Sequence, residues 1–257
     1  MHFLTELNCL LDRWFFAAYY LVLVGLFLHF LGNVITNRFA DRFFMGHHKK
    51  VTREEYILPF PRLMHRIHLA AMAALILTGF FIRYKVLSPY YLNLWKQLHY
   101  GFMGVIIANL TARIIYAFTG ETKTYRDFAF SKKDILNTPE VIKYYLFLQD
   151  DYPHVAKFAS LQKLTYNMFW VLLILQAVTG MAILLPEMFL GWINLSLSDS
   201  SLFMHIIHVV IMWFFIMATT IHVYMSVTEG YPLLKLMMFK IEPDLSIEEG
   251  PVADKIG

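Results

Sequence analysis

Two histidines in one long apolar run are the residues whose type and spacing point most directly to chemistry. His208 and His222 stand fourteen residues apart within Leu202–Val227. At 3.6 residues per turn this spacing completes almost four turns, so both imidazoles leave one side of a helix, roughly 21 Å apart along its axis. Imidazole is a common metal ligand, and ionisable groups are costly inside a membrane span. The spacing therefore predicts a helix with one functional imidazole near each face of a membrane.

The composition indicates that the elements carrying these residues lie in a membrane. The chain is 58% hydrophobic and only 16% charged, with a mean hydropathy of +0.51. Because a bilayer offers no water to backbone groups, long apolar runs must be helices. We expect an all-α integral membrane protein whose five transmembrane helices cover Trp14–Ile35, Leu63–Ile82, Leu98–Phe118, Leu164–Leu185 and Leu202–Val227.

Lysine and arginine are distributed unequally between alternate connections. Six, seven and three of them lie in Thr36–Arg62, Thr119–Lys163 and Thr228–Gly257. The other three segments carry one, one and none, and are Met1–Arg13, Tyr84–Trp95 and Glu187–Ser201. The positive-inside rule then places the amino terminus outside and the carboxyl terminus in the cytoplasm of a bacterial or archaeal inner membrane.

The single cysteine, Cys9, excludes several classes of protein. One cysteine allows no intrachain disulfide, no Cys-x-x-Cys-His site for covalent haem and no iron–sulfur cluster held by this chain alone. Motifs for phosphate binding, nucleophilic catalysis and zinc proteolysis are also missing from the sequence. The net charge of +3 comes from the connections described above, so we expect no nucleic-acid partner.

The 45-residue connection Thr119–Lys163 is too long to be bare coil. Thr138 followed by Pro139 is typical of an N-cap and the first position of a helix. We expect a short aromatic helix over Val141–Leu148 that lies along the membrane surface.

A Thr-Gly pair occurs twice, near the outer end of the second and of the fourth span. The pairs are Thr78-Gly79 and Thr179-Gly180. Small residues at this depth let helices approach closely, or let a flat macrocycle lie against backbone.

The other histidines can be sorted by depth once the orientation is set. His65 and His68 fall near the cytoplasmic face, at the depth of His222; His99 falls near the outer face, at the depth of His208 and His205. Each depth thus receives histidines from two different helices. Depth alone leaves open whether His65 or His68 pairs with His222, and whether His208 or His205 pairs with His99. The arrangement suits bis-histidine ligation of two non-covalent b-type haems inside a bundle.

Several spacings between Arg62 and Ile241 resemble those of the cytochrome b subunits of membrane-bound formate dehydrogenases and nickel–iron hydrogenases. The chain resembles especially the formate dehydrogenase gamma subunit, within the prokaryotic di-haem b561-like cytochromes. The spacings are Arg62-x-x-His65 with Thr78-Gly79, Leu98-His99 with Gly104, Gln162-Lys163 with Thr179-Gly180, and His208 with His222-Val223-Tyr224-Met225.

This resemblance implies a choice between the histidines that depth left open. It favours His65 over His68 and His208 over His205, giving the pairs His65 with His222 and His99 with His208. It divides the chain into an extra N-terminal helix with its basic loop (1–61), a di-haem four-helix bundle (62–241) and a tail (242–257). Arg66 stands where the family usually has tryptophan, Ala159 stands where it has asparagine, and the first helix has no counterpart in four-helix relatives.

The resemblance also implies a function as the membrane-anchoring subunit of a respiratory oxidoreductase complex. Electrons would pass between the iron–sulfur and catalytic subunits of a dehydrogenase or hydrogenase on the outer face and menaquinone or ubiquinone near the cytoplasmic face. We expect the haem propionates to meet cations and the porphyrins to lie against small residues, with the quinone beside the fourth and fifth helices. The residues concerned are Arg83, Lys85 and Lys96 (outer cations), Arg62 and Arg66 (inner cations), Gly79, Gly104 and Gly180 (porphyrins), and Gln162, Lys163 and Tyr224 (quinone).

Two other functions fit the same sequence. One is a quinol-oxidising exporter that passes electrons to a periplasmic reductase or multihaem cytochrome. This function stays open because the placement of the haems does not fix the direction of electron flow. The other is a haem-free structural anchor, which would lack the absorption bands of a b-type haem.

Overall fold

The computed structural model describes residues 2–39, 59–86, 88–120, 123–150, 160–190, 197–229 and 231–239, and the side chains of most of them. The regular elements in these ranges are helices, with no strand among them. In chain order they are α1 (His2–Ile35), α2 (Pro59–Tyr84), a 3-10 turn (Pro89–Tyr91), α3 (Leu92–Thr119), α4 (Tyr125–Phe128), α5 (Lys132–Tyr145), α6 (Ser160–Leu184), α7 (Pro186–Leu190), α8 (Leu197–Thr228) and α9 (Tyr231–Met238). The tail 242–257 and Ala159 lie outside the described residues.

Five of the described helices, α1, α2, α3, α6 and α8, are long and apolar enough to cross a membrane. Each covers one of the five runs predicted from the sequence, and α6 ends one residue early, at Leu184. The helices extend past the apolar runs into polar and aromatic residues, because hydrogen bonding within a helix does not stop where hydropathy falls. The chain is therefore an all-α multi-pass membrane protein, as predicted.

The core lies between two helix pairs, α2 with α3 and α6 with α8. Its buried side chains come from all four helices and are Ala71, Ile106, Leu110, Leu173, Ile211 and Phe215. Phe169 of α6 stacks on Phe215 of α8, with ring centroids 5.8 Å apart. In lipid, apolar side chains gain little from leaving the solvent, so close van der Waals packing of this kind is what holds helices together.

Helix α1 packs along α8 on the side away from this core. Trp213 of α8 is fully buried, and Phe15 and Phe16 of α1 pack on its ring. Arg83 of α2 binds the Asp12 carboxylate of α1 at one end of this contact. The extra N-terminal helix is thus part of the bundle.

The surface helix in the long connection begins earlier than predicted. α5 starts after Ser131, whose hydroxyl accepts from the Asp134 amide while Asp134 accepts from the Ser131 amide in return. The expected N-cap at Thr138 and start at Val141 were wrong, and Pro139 lies inside the helix. An interior proline costs about 3 kcal/mol. The capping box and the burial of Val141 and Tyr144 offset that cost.

A buried ion pair fixes α5 to the start of α6. The Lys163 ammonium binds both Asp134 carboxylate oxygens, at 3.0 and 3.1 Å, and the Ala129 carbonyl oxygen at 3.3 Å. Lys163 is 8% exposed and Asp134 is 9% exposed. Hydrogen bonds from Ser131, aided by Lys163, hold the pKa of Asp134 below its ordinary value. The carboxylate therefore stays charged at neutral pH, and its contribution to stability is lost only as the pH falls through that lowered pKa.

We expect Lys163→Ala to release α5 from the membrane domain. The substitution removes charged hydrogen bonds worth about 2 kcal/mol and leaves Asp134 buried without its cation. Limited proteolysis in detergent should cut 123–150 faster in this variant, and the double variant Lys163→Leu/Asp134→Leu should recover part of the protection. Glu140→Ala removes the partner of an exposed pair with Lys143 and serves as the control. Unchanged cleavage of Lys163→Ala would show that the ion pair does not dock α5.

Candidate functional site

His99 of α3 and His208 of α8 face each other inside the bundle. Their ring centroids lie 6.4 Å apart, with an angle of 68° between the planes. A metal–imidazole nitrogen bond is about 2 Å long, so two imidazoles on opposite sides of one metal have ring centres about 6 Å apart. The separation between these rings would let both imidazoles reach one metal between them. We call this pair the His99 layer.

A threonine on the neighbouring helix holds each imidazole of the His99 layer. Thr78 Oγ1 lies 2.8 Å from His99 Nδ1, and Thr179 Oγ1 lies 2.9 Å from His208 Nδ1. Each hydroxyl donates its own hydrogen to a backbone carbonyl of its helix, that of Ala74 or Leu175. The oxygen can therefore only accept from the ring, which places the imidazole proton on Nδ1 and leaves Nε2 with a lone pair.

At His208 the Nε2 lone pair has a hydrogen-bond donor. Its Nε2 accepts a hydrogen bond from the Gln176 side-chain amide at 3.0 Å, which agrees with a proton on Nδ1. The other end of that amide, Gln176 Oε1, is buried and accepts no hydrogen bond from a described residue. Because its buried oxygen is unsatisfied, the Gln176 amide is a poorly stabilised partner for His208 Nε2. A stronger partner such as a metal could replace it.

The predicted glycines differ in what surrounds them. A Cβ on Gly180 would lie 3.3 Å from His208 Cε1, and one on Gly79 would lie 3.6 Å from His99 Cε1. Each Thr-Gly pair thus holds one imidazole with its hydroxyl and places its glycine against the same ring. A Cβ would be crowded at Gly180 and would make an ordinary contact at Gly79. A Cβ on Gly104 would meet nothing within 4 Å among the described residues, so space is open beside it.

The second group of histidines lies toward the opposite end of the bundle, where α2 approaches α8. His65 and His222 are close enough for their charges to interact, and His68 also acts on His65. The Nδ1 atoms of His65 and His68 are both buried and have no hydrogen-bond partner among the described residues. Tyr166 and Phe169 of α6 each place a ring centroid 6.1 Å from that of His222. We call His65, His68 and His222 the His222 layer; its geometry leaves the choice between His65 and His68 open.

Arg113 of α3 is a cation beside the His222 layer that the sequence reasoning missed. It is half-buried, its charge acts on both His65 and His68, and its guanidinium lies 5.6 Å from the centre of the Trp170 ring. The signal was present, because a lone arginine inside an apolar run is a functional candidate by default. Arg113 is as well placed to meet an anionic group as any cation named from the sequence.

The cations predicted from the sequence are distributed between internal bonds and the surface. Arg83 binds Asp12 and the Asn8 carbonyl oxygen of α1. Arg62 is buried and donates to the Phe239 carbonyl oxygen at 3.5 Å. Arg66, Lys85 and Lys96 are exposed.

The predicted quinone contacts are likewise in separate surroundings. Lys163 is held in its ion pair with Asp134, while Gln162 next to it is half-buried. Tyr224 lies two residues after His222 on α8. Its hydroxyl oxygen is 2.8 Å from Nδ1 of His29 on α1. The structure therefore brings Tyr224 and His29 together, and it does not place Lys163 in contact with them.

The donor set fits a haem held by two imidazoles. No group of three or more histidine, cysteine or carboxylate side chains that could hold a metal ion occurs in the described part of the chain. A haem supplies four of its own nitrogens and needs only two more ligands, which a pair of imidazoles could provide once the Gln176 amide leaves His208 Nε2.

We expect Thr78→Val and Thr179→Val to weaken haem binding in the His99 layer. Each removes the hydrogen bond that fixes an imidazole, a change that costs about tenfold or more in metal affinity. Haem content per protein, measured after dilution in detergent, checks this, and Thr78→Ser should restore it. Thr111→Val is the control, since Thr111 binds only the Ile107 carbonyl oxygen on an exposed face. Full haem retention in both valine variants would contradict the role given to these threonines.

Comparison with known families identifies the bundle. The model of a family described as prokaryotic cytochrome b561 matches residues 58–240, which include both histidine layers and both Thr-Gly pairs and leave α1 outside. A search among curated proteins finds no match. The match covers more than half of the chain and agrees with the resemblance drawn from the sequence. The chain belongs to the prokaryotic cytochrome b561 family and is a multi-pass membrane b-type cytochrome of electron transfer.

Proposed function

We propose that the protein is the membrane-anchoring di-haem subunit of a respiratory oxidoreductase complex. It would carry electrons between an iron–sulfur partner at the His99 end of the bundle and a quinone at the His222 end. In this proposal His99 with His208, and His65 with His222, are the axial ligands of two b-type haems. Two haems separated by most of the membrane thickness allow electrons to cross it without a mobile carrier.

The observation that carries the proposal is the geometry of the His99 layer. Two imidazoles from different helices face each other 6.4 Å apart, each with its proton fixed on Nδ1 by a threonine. His99 and His208 each spend Nδ1 on a threonine, and His208 Nε2 meets a Gln176 amide whose oxygen has no partner among the described residues. Here the nitrogens that point away from the threonines are the ones a metal would take.

Haem would supply one-electron redox chemistry, and the chain would supply position and a dry surrounding. Threonines orient the imidazoles, Arg113 offers a positive charge beside the His222 layer, and the Phe169–Phe215 stack fills the space between the layers. An apolar filling raises the cost of charge in the interior, so water and ions are excluded from the region that electrons would cross.

The His222 end suits a quinone because polar side chains meet the membrane interior there. Gln162 and Tyr224 remain the contacts we propose for the quinone carbonyls. Lys163 would have to leave Asp134 to take part, and breaking that buried pair is costly. The direction of electron flow is set by the potentials of the partners and not by this geometry.

We expect His99→Ala and His208→Ala each to lose one of two haems. An alanine cannot coordinate iron, so the remaining partner would hold the group with only one bond. The test is haem quantification with reduced-minus-oxidised spectra of purified variants. His205→Phe is the matched control, because His205 lies one helical turn from His208 on α8. Two retained haems in His208→Ala would sink the assignment, and a protein without b-type absorption bands would be a structural anchor instead.

The orientation proposed from lysine and arginine also has a direct test. A reporter that is active only outside the cytoplasm should work when fused at Met1 or within Glu187–Ser201, and should fail at Gly257. The imbalance of positive charge between alternate connections is the reason. The reverse pattern of activity would place the His99 layer at the cytoplasmic face and require the iron–sulfur partner there.

A further inference from the structure

A polar cluster joins the first and last spanning helices at the end that holds the His222 layer. His29 and Asn33 come from α1, Tyr224 from α8, and Glu229 from the residue after α8. His29 Nδ1 lies 2.8 Å from Tyr224 Oη and 3.2 Å from Asn33 Nδ2, and Asn33 Nδ2 donates to Glu229 Oε1 at 3.0 Å. Since α1 lies outside the segment 58–240, the family fold does not account for this cluster.

The donor and acceptor types fix how hydrogens are arranged in the cluster. An amide nitrogen only donates, so Asn33 Nδ2 gives one hydrogen to Glu229 and the other to His29. His29 Nδ1 is then an acceptor, its own proton is on Nε2, and the Tyr224 hydroxyl donates to Nδ1. His29 Nδ1 thus receives both the Asn33 amide and the Tyr224 hydroxyl.

The turn after α5 closes over this cluster. Arg38, just past α1, donates to the Tyr144 and Gln149 carbonyl oxygens and binds the Asp150 carboxylate. The Phe147 ring lies 5.3 Å from the His29 ring, and a Cβ on Gly32 would come within 2.5 Å of it. Phe147 also has a positive φ of 60°, a strained conformation for a residue with a side chain. This turn and α1 form an enclosure around the cluster. The Phe147 ring fits so closely against α1 that glycine is required at Gly32.

Two groups in the enclosure have properties that a purely structural clamp does not need. Burial raises the pKa of Glu229 to about 7, while the Asn33 hydrogen bond and the Arg38 charge act in the opposite direction. This carboxyl group can therefore hold or release a proton near neutral pH. Asn33 is 1% exposed, and its Oδ1 accepts no hydrogen bond from any described residue. Buried carbonyl oxygens of this kind are normally bound by protein or by an ordered water.

We propose that Glu229, Asn33 and His29 form a proton relay that serves quinone chemistry at the His222 layer. The inference rests on the proposed function, because it needs a quinone there. When a quinone becomes a quinol it gains two electrons and two protons, and its two C=O groups become two C–OH groups. The electrons arrive through the b-haem chain of the proposed function, and the protons come from the aqueous phase beside Glu229. In quinol oxidation the same steps run in reverse.

Distances within the cluster suit this transfer. Glu229 Oε1 and His29 Nδ1 are at most about 6 Å apart, because both lie within 3.2 Å of Asn33 Nδ2. One water can bridge such a gap, and Asn33 Oδ1 is an acceptor able to hold it. His222 lies seven residues before Glu229 on the same chain, roughly 10 Å along the helix axis. The relay thus extends from the end of α8 to Tyr224, the residue proposed above as a quinone contact.

The test compares three variants of the full-length protein in membranes. Glu229→Gln and His29→Gln remove a proton-holding group and keep a polar side chain of similar size. Tyr19→Phe is the matched control, because it removes a different hydrogen bond between the same two helices, from Tyr19 to Thr220. Haems reduced with a stoichiometric reductant are mixed with short-chain ubiquinone and menaquinone analogues. Haem reoxidation and proton uptake, followed with a pH indicator, are recorded together.

We expect haem reoxidation and proton uptake to be about tenfold or more slower in both glutamine variants. Their haem content should be normal, and the Tyr19→Phe variant should keep the unmodified rates. In the unmodified protein the rate should fall as the pH rises above about 7, where Glu229 loses its proton, and Glu229→Gln should abolish this dependence. The charge of Arg38 acts on the Glu229 carboxyl group, and His29 shares the Asn33 amide with it, in every variant except where replaced.

The outcomes separate this inference from the function it rests on. Normal quinone reduction in Glu229→Gln, with the unmodified pH profile, would overturn the relay and leave the proposed function standing. Loss of haem or of folded protein in both glutamine variants, with no kinetic change in the folded fraction, would assign the cluster to docking α1 alone. An unmodified protein that does not react with either quinone analogue would overturn the proposed function and the relay with it.

Discussion

The centre of this bundle depends on one hydrogen bond that is made twice, from a histidine Nδ1–H to a threonine hydroxyl on the neighbouring helix. The bond matters because an imidazole in an apolar interior could otherwise present either nitrogen, in either tautomer. Thr78 and Thr179 remove that freedom, since each hydroxyl already donates to its own backbone and can only accept. The glycine that follows each threonine lies against the same ring, and at Gly180 a Cβ would crowd His208. A short sequence pair thus fixes both the position and the chemistry of a ring on another helix.

Helix α8 is the element on which these constraints meet. It contributes one histidine to each layer, core side chains between them, and the aromatic face that receives α1. Because His208 and His222 leave the same side of the helix, the opposite side is available for Trp213 and the contacts with Phe15 and Phe16. A rotation of α8 about its axis would move both imidazoles together and break the contact of its opposite side with α1. The fourteen-residue spacing is therefore a constraint on the whole bundle.

Sequence reasoning predicted those parts of the structure that local patterns determine. The five spans follow from hydropathy, which needs no knowledge of neighbours. Depth narrowed the partner of His99 to His208 or His205, and the family resemblance favoured His208. The predicted start of α5 was wrong because the signal at Thr138-Pro139 is local. The helix is instead fixed by the ion pair of its Asp134 with Lys163, twenty-nine residues further along the chain. The place of α1 could not be predicted for the same reason, because His29 meets Tyr224 across 195 residues of chain. Thr78 and Thr179 were noticed as part of a repeat, but only the structure shows that their hydroxyls hold the imidazoles.

The contacts of α1 show that it satisfies groups that the other helices already carry. Arg83 of α2 is balanced by Asp12 at one end, and Glu229 after α8 receives a hydrogen bond from Asn33 at the other. In lipid these polar bonds decide where a helix lies, since its apolar side chains are nearly as well solvated by acyl chains as by protein. Removing α1 would take one partner from a guanidinium and one from a carboxyl group, at opposite ends of the bundle. These contacts tie the first helix to α2 and to the end of α8, and they set its place beside the segment that the family model matches.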